Sequence, residues 1–480
     1  MWWQWVVRPE GCTLANPNIT SCEDSRGLTF NPNKSTSWNT ERLDNNGLFQ
    51  LTTYYEGFLN LTGNAYYGFD TLTLGVPGAE LPSLDNQIIA GIATNDYWLG
   101  YLGLSPIPFN FSSQDDATSM RDPQPSFLSS LKNQSLIPSL SWGYTAGASY
   151  QQDPTFGSLV LGGYDESRFT PNNVTFAFAA DFSRDITVNL RSISYDTLGS
   201  SLLLTKSIPI FINSLVTHLW LPEEVCQRFE QAFNLTWSDS AQLYLLDDEV
   251  HERLSSLNPT FTFSLGHEQA DGDTVEIALP YGAFDLSGTA PFTDPPSRYF
   301  PLKRADRADQ YTLGRVFLQG AYIVADYERQ SFSVSQALFP DASKTSNTTL
   351  VGIAPPGFKE SPGLSVGVIA GIVVGSVLGV LLVAVVLFYW QRQRKRNIGG
   401  VDSAGKTSVD EKMASQDLPR NDIGLELDSE GSQRHEMGDA RLKGSELDGV
   451  NTNVLELDPQ NERKTELAGN GDNRERYELP

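Results

Sequence analysis

The chain has 480 residues and a formal net charge of −24. With 11% aromatic and 19% charged residues it can bury two or three real cores, so most of it is not disordered. The acidic balance excludes a nucleic-acid binder, which needs a basic face. Three cysteines (Cys12, Cys22, Cys226) and four histidines stand in no ligand spacing, and no phosphate loop or dinucleotide fingerprint occurs. Neither a metal nor a cofactor is expected.

In chain order, Met1-Trp2-Trp3-Gln4-Trp5-Val6-Val7 has neither the basic nor the apolar region of a signal peptide. The natural chain is therefore expected to begin further upstream. Residues 1–340 read as all-β. Short β-branched and aromatic runs recur at Phe156–Leu161, Ile186–Ile193, Ile208–Ile212, Phe261–Leu265 and Ala321–Val324, punctuated by Gly, Pro, Asn and Asp. One helix is predicted at Pro222–Phe233, with Glu223 and Glu224 in its first turn. Residues 341–364, rich in Ser, Thr, Pro and Gly, read as a stalk.

Val366 to Trp390 contains no charged residue, and at about 1.5 Å per residue it spans a bilayer core of roughly 30 Å. A transmembrane helix is predicted at 365–390. Tyr389 and Trp390 form an aromatic belt, and Arg392, Arg394, Lys395 and Arg396 place the C-terminus in the cytoplasm. The rest is then an ectodomain at the cell surface, of single-pass type I topology. Sequons at Asn18, Asn33, Asn60, Asn110, Asn133, Asn173, Asn234 and Asn347 all precede this span, as glycosylation outside requires. An oxidising compartment suits a Cys12–Cys22 disulfide, with Cys226 unpaired or bonded elsewhere.

The chain also resembles itself. Trp5-Val6-Val7-Arg8-Pro9-Glu10 followed by Cys12 echoes Trp220-Leu221-Pro222-Glu223-Glu224 followed by Cys226. Tyr101-Leu102-Gly103-Leu104 echoes Tyr311-Thr312-Leu313-Gly314 at nearly the same offset. A duplicated β protein is predicted, with lobes at 1–180 and 181–340.

These elements resemble the pepsin-like aspartic peptidase family (peptidase A1) across nearly all of residues 5–340. Phe156-Gly157-Ser158-Leu159-Val160-Leu161-Gly162-Gly163-Tyr164-Asp165 resembles its Gly-x-Leu-x-Leu-Gly-Gly-x-Asp segment. Tyr311–Leu318 resembles its apolar-Leu-Gly-x-x-Phe strand, and Val324-Ala325-Asp326-Tyr327 the Val-x-Asp that follows. Gly68-Phe69-Asp70-Thr71-Leu72 resembles the strand after the flap hairpin. The resemblance implies a bilobal all-β fold and acid hydrolysis of peptides. In that chemistry two facing carboxylates share a proton, one activating water while the other donates to the carbonyl.

On this chain the second-lobe turn reads Asn213-Ser214-Leu215-Val216-Thr217. Asn213 stands where the resemblance implies aspartate, with Ser214 and Thr217 as its turn partners and Leu215 in place of a small residue. An amide can neither take up nor release the required proton. By the repeat, the first catalytic position falls ahead of Met1. Asp70-Thr71-Leu72 and Asp196-Thr197-Leu198 lack the glycine and read as ordinary strand or turn aspartates. Thr52-Thr53-Tyr54-Tyr55-Glu56-Gly57 is the candidate flap, with Tyr55 its closing residue.

Gly363, Gly367, Gly371, Gly375 and Gly379 line one face of the predicted membrane helix, a ridge that lets two helices pair. The acidic tail at 391–480 has a composition that cannot bury a core. Glu-Leu recurs within it at Glu426, Glu446, Glu456, Glu466 and Glu478, a candidate docking element for a cytosolic partner. Three functional readings follow: a catalytically impaired pepsin-like ectodomain that binds peptide or cell-surface polymer in its cleft, a surface-tethered endopeptidase in full-length form, and a non-enzymatic sensor or adaptor signalling through the tail.

Overall fold

The computed structural model describes residues 4–15, 21–51, 55–75, 81–108, 123–196, 200–268, 272–339 and 348–358. The predicted membrane helix with Gly367, Gly371, Gly375 and Gly379, the tail, and sequons Asn18, Asn110 and Asn347 lie outside these residues. Among the described residues no helix is long and apolar enough to cross a membrane.

The first lobe opens with strands β1 (Gln4–Val7), β2 (Leu48–Gln50), β3 (Asn64–Thr73) and β4 (Ser83–Ile92), ordered β1-β4-β3-β2 in one sheet. Period-two alternation in β3 buries Ala65, Tyr67 and Phe69 on one face, against Trp5, Val7, Ala90 and Ile92. Gly68 interrupts the other face because the Trp38 ring lies on it. A Cβ there would sit 2.3 Å from the indole.

Four strands follow: β5 (Ser141–Ala148), β6 (Thr155–Leu161), β7 (Gly163–Asp165) and β8 (Phe176–Ala177). The second lobe then supplies β9 (Thr187–Asp196), β10 (Ser200–Leu204), β11 (Ile208–Ile212), β12 (Leu219–Pro222), β13 (Thr236–Ser238) and β14 (Leu243–Leu246). After these come β15 (Thr260–Gly266), β16 (Thr274–Pro280), β17 (Leu286–Gly288), β18 (Ser297–Phe300), β19 (Leu302–Ala305) and β20 (Thr312–Leu313). The last three are β21 (Ala321–Asp326), β22 (Ser331–Gln336) and β23 (Leu350–Gly352).

The second-lobe sheet runs β16-β15-β9-β11-β20-β12-β19, with β10 on β9. A smaller sheet runs β13-β14-β18-β17. Every strand predicted from sequence appears, and Glu223–Phe233 is helical with Val225, Cys226, Phe229 and Phe233 turned inward. Cys12 and Cys22 are disulfide-bonded, whereas Cys226 is free and buried, its thiol pushed up to about 12 mainly by that burial.

Two boundaries depart from expectation. Strands β6-β5-β21-β22-β8 form one sheet, so the lobes at 1–180 and 181–340 are stitched by strands from both halves. Residues 341–364 are not stalk throughout: β23 pairs antiparallel with β7, and Arg329 Nη2 donates to Ala354 O at 2.9 Å. A short Val-containing run found an open strand edge there.

Arg26 ties the disulfide loop to the lobe. It is 1% exposed, yet its guanidinium donates to four carbonyls, those of Gly11, Thr94, Tyr97 and Trp98, at 2.9–3.0 Å. Replacing it by methionine keeps bulk but strands those acceptors. Arg26→Met is expected to cost about 3 kcal/mol or more in urea denaturation, since each buried carbonyl left unpaired costs about 1–3 kcal/mol.

Candidate active site between the lobes

Strand β11 delivers Asn213. Its apolar run is buried on β9, and its end pairs in parallel with β20, where Asn213 N donates to Leu313 O at 3.0 Å. The side chain is committed at both ends. Asn213 Oδ1 accepts from Leu215 N at 2.9 Å, and Nδ2 donates to Glu56 Oε1 at 2.9 Å. A donor to a carboxylate and an acceptor from a backbone amide fix which end is nitrogen. Asn213 is buried.

Arg315 holds the turn. Its Nη1 donates to Ser214 O and Leu215 O, both at 3.1 Å, and its Nη2 to Thr217 Oγ1 at 2.8 Å. Ser214 and Thr217 therefore serve the loop's shape, one through its carbonyl and the other through its hydroxyl. Gly314 allows the close crossing, because a Cβ there would meet His218 O at 2.3 Å. Leu215, where the family resemblance implies a small residue, reaches into the first-lobe core beside Trp5 and Tyr67.

Tyr55, the flap candidate, lies in the connection between β2 and β3, directly before a helical turn at Glu56–Leu59. Its ring is 1% exposed and packs edge-on against Phe211, centroids 4.8 Å apart. Its hydroxyl meets that of Thr312, whose proton goes to Gln310 O. Gln310 Nε2 donates to Phe58 O at 2.7 Å, so this segment is pinned to the second lobe and Glu56 is held over Asn213. Thr52, Thr53 and Tyr54 lie outside the described residues. The two rejected aspartates sit elsewhere: Asp70 accepts from Ser35, Ser37 and Thr71 N, and Asp196 is exposed at the end of β9.

Sequence reasoning missed three residues. Glu56 stands within the candidate flap segment, but nothing in that segment names its partner. Arg315 lies 98 or more residues from every group it binds. Asp185 is reached by register: Phe211 pairs with Thr187, and Ile212 N donates to Ile186 O, which carries Asp185 opposite Asn213. Asp185, Asn213, Ser214, Tyr101, Tyr144 and Tyr327 line one cavity of about 320 Å³. Burial in it raises the Asp185 carboxyl and the Tyr144 and Tyr327 hydroxyls above their ordinary values. Among the described residues no group of three or more His, Cys, Asp or Glu could hold a metal.

His218 closes the same turn. Its Nε2 is buried without a hydrogen-bond partner among the described residues. Burial first, then the charges of Lys303 and Arg315, lower its pKa to about 3. An unfolded histidine titrates near 6.5, so unfolding takes up a proton below that value. Stability is fully kept above about pH 6.5 and is lost as the pH falls toward the folded value.

The eukaryotic aspartyl protease family model matches residues 4–337. This chain belongs to that family. Among its relatives, barrierpepsin of Saccharomyces cerevisiae is 24% identical over 324 residues, covering 65% of this chain and 50% of barrierpepsin. Candidapepsin of Candida tropicalis is 22% identical over 343 residues, covering 71% and 75%. Secreted aspartic protease 8 of Candida albicans is 24% identical over 345 residues, covering 71% and 72%. The chain spans about half the length of barrierpepsin.

Two expectations follow for this aspartyl protease relative. His218→Gln should flatten the loss of stability between about pH 6.5 and pH 4, read as urea midpoints across that range. Asn213→Asp should act in the opposite direction. Two carboxylates a hydrogen bond apart raise the pair's folded pKa above the unfolded value near 4. The variant is then less stable than wild type at neutral pH, and the gap closes below about pH 4.

Proposed function

We propose that this chain is a single-pass membrane glycoprotein whose pepsin-like ectodomain is catalytically impaired and binds extended peptide or cell-surface polymer between its lobes. One observation carries the loss of catalysis: at the second-lobe catalytic position stands an amide whose donor and acceptor are already bound, to Glu56 and to the Leu215 amide. An amide does not ionise at accessible pH, so Asn213 can neither act as the base that activates water nor as the acid that protonates a carbonyl. Peptide binding follows from the family, whose cleft holds extended substrates.

The surface setting rests on sequence and on exposure. Asn33, Asn60, Asn133, Asn173 and Asn234 are all solvent-exposed, as modified sequons must be. The apolar run at 365–390 supplies the anchor, its glycine face a route to a homodimer, and the Glu-Leu repeats a route to a cytosolic partner. A relative named a secreted aspartic protease is compatible with an outside location.

A second reading, an active endopeptidase in a longer form, is favoured by one asymmetry. Strand β20 is flanked by β11 on one edge and β12 on the other. Its counterpart in the repeat, Tyr101, pairs with Trp5 alone among the described residues, N to O at 2.8 Å in both directions. A further strand laid beside Tyr101, as β11 lies beside β20, would bring its following turn toward Asn213 and could carry a carboxylate.

The natural full-length protein should bind a fluorescent peptide, followed by anisotropy, yet leave a quenched peptide substrate uncut at acid pH. Cleavage by the wild type overturns the impaired reading. Cleavage appearing only in Asn213→Asp identifies a peptidase cleft that lacks one carboxylate.

A further inference from the structure

A second and larger cavity, about 880 Å³, opens on the outer face of the first-lobe sheet, away from Asn213. Two of the side chains that line it, Trp38 and Arg8, lie across glycines. Trp38 lies on Gly68, and Arg8 crosses Gly91, where a Cβ would meet its Cδ at 2.7 Å. Gly91 pairs with Tyr66, so the Arg8 guanidinium stacks 4.5 Å from the Tyr66 ring centre. Arg8 is neutralised by Glu10 at 2.9 Å. The remaining polar walls are uncharged: the amides of Asn46, Asn64 and Asn95 and the hydroxyls of Thr40 and Thr94.

This chemistry selects a neutral, hydroxyl-rich ligand. Amides and hydroxyls both donate and accept, as sugar hydroxyls do, and the part of the Tyr66 ring left exposed beside Arg8 offers an apolar surface to the C–H face of a pyranose. The volume lies within the range of about 300–1,000 Å³ usual for ligand pockets. A site where such a ligand is attached to proteins stands at the rim. Asn33 lines the cavity, is exposed, and begins the sequon Asn33-Lys34-Ser35.

We infer that the N-linked glycan of Asn33 folds back into this groove and is held there by Tyr66, Trp38 and the surrounding amides. The inference rests on the glycoprotein reading. Attachment makes the contact intramolecular, so even weak sugar contacts are occupied at an effective concentration of order millimolar.

The test is native endoglycosidase digestion of the full-length protein from a glycosylating eukaryotic host, with release followed site by site by mass spectrometry. The Asn33 glycan should be released about tenfold or more slowly than those on Asn133 and Asn173, equivalent to about 1.4 kcal/mol of protection. Tyr66→Ser should abolish that protection. Asn64→Ala, at an exposed position, should weaken it without the risk of unfolding. Equal release rates from an occupied Asn33 overturn the inference and leave the glycoprotein reading standing. An unmodified Asn33 beside modified Asn133 and Asn173 also overturns it, whereas finding all eight sequons unmodified overturns both.

Discussion

The site depends on a strand of two residues. Thr312 and Leu313 are fully buried and paired on both edges, in parallel with β11 and antiparallel with β12. Through Leu313 O this strand fixes the backbone of Asn213, and through Thr312 it receives the Tyr55 hydroxyl. Directly after it come Gly314, which permits the crossing of two loops, and Arg315, which fastens the Asn213 turn by three bonds. A backbone donor or acceptor buried here without a partner costs about 1–3 kcal/mol, so the crossing has little freedom to rearrange.

Around that crossing the departures from the family pattern support one another. Leu215 in place of a small residue fills first-lobe core and ties the turn to the opposite lobe. Asn213 in place of an acid can donate to Glu56, which an ionised aspartate cannot do. Tyr55, pinned to Thr312 and Phe211, holds Glu56 in reach. The same turn shelters a histidine that pays for its burial in acid, the medium in which a pepsin-like pair works. Asn213, Leu215 and His218 all belong to this one turn, which Arg315 fastens to the crossing.

Much of the fold was legible because it is local. The alternating runs at Ile208–Ile212 and Phe261–Leu265 became β11 and β15, and the acidic first turn after Pro222 began the predicted helix. The Leu-Gly pair at 313–314 carried the family resemblance, and the structure gives its reason: only glycine tolerates carbonyls so near its α-carbon. Two boundaries were not legible. Leu350–Gly352 reads as linker, because a three-residue strand becomes one only when an open edge such as Gly163–Asp165 awaits it. The sheet shared by both lobes was hidden for the same reason, as β21 finds β5 across most of the chain.

The sequence by itself determined the β architecture, the family resemblance, the Cys12–Cys22 pairing expectation and the amide at position 213 at the end of an apolar strand. Each depends on residue type at fixed short spacing, which the linear chain displays. Only the tertiary structure decided what surrounds that residue. Glu56 meets Asn213 across 157 positions and Arg315 meets Ser214 across 101, while Asp185 comes opposite through strand register. Contacts of that reach depend on where whole elements pack, and no local pattern encodes them.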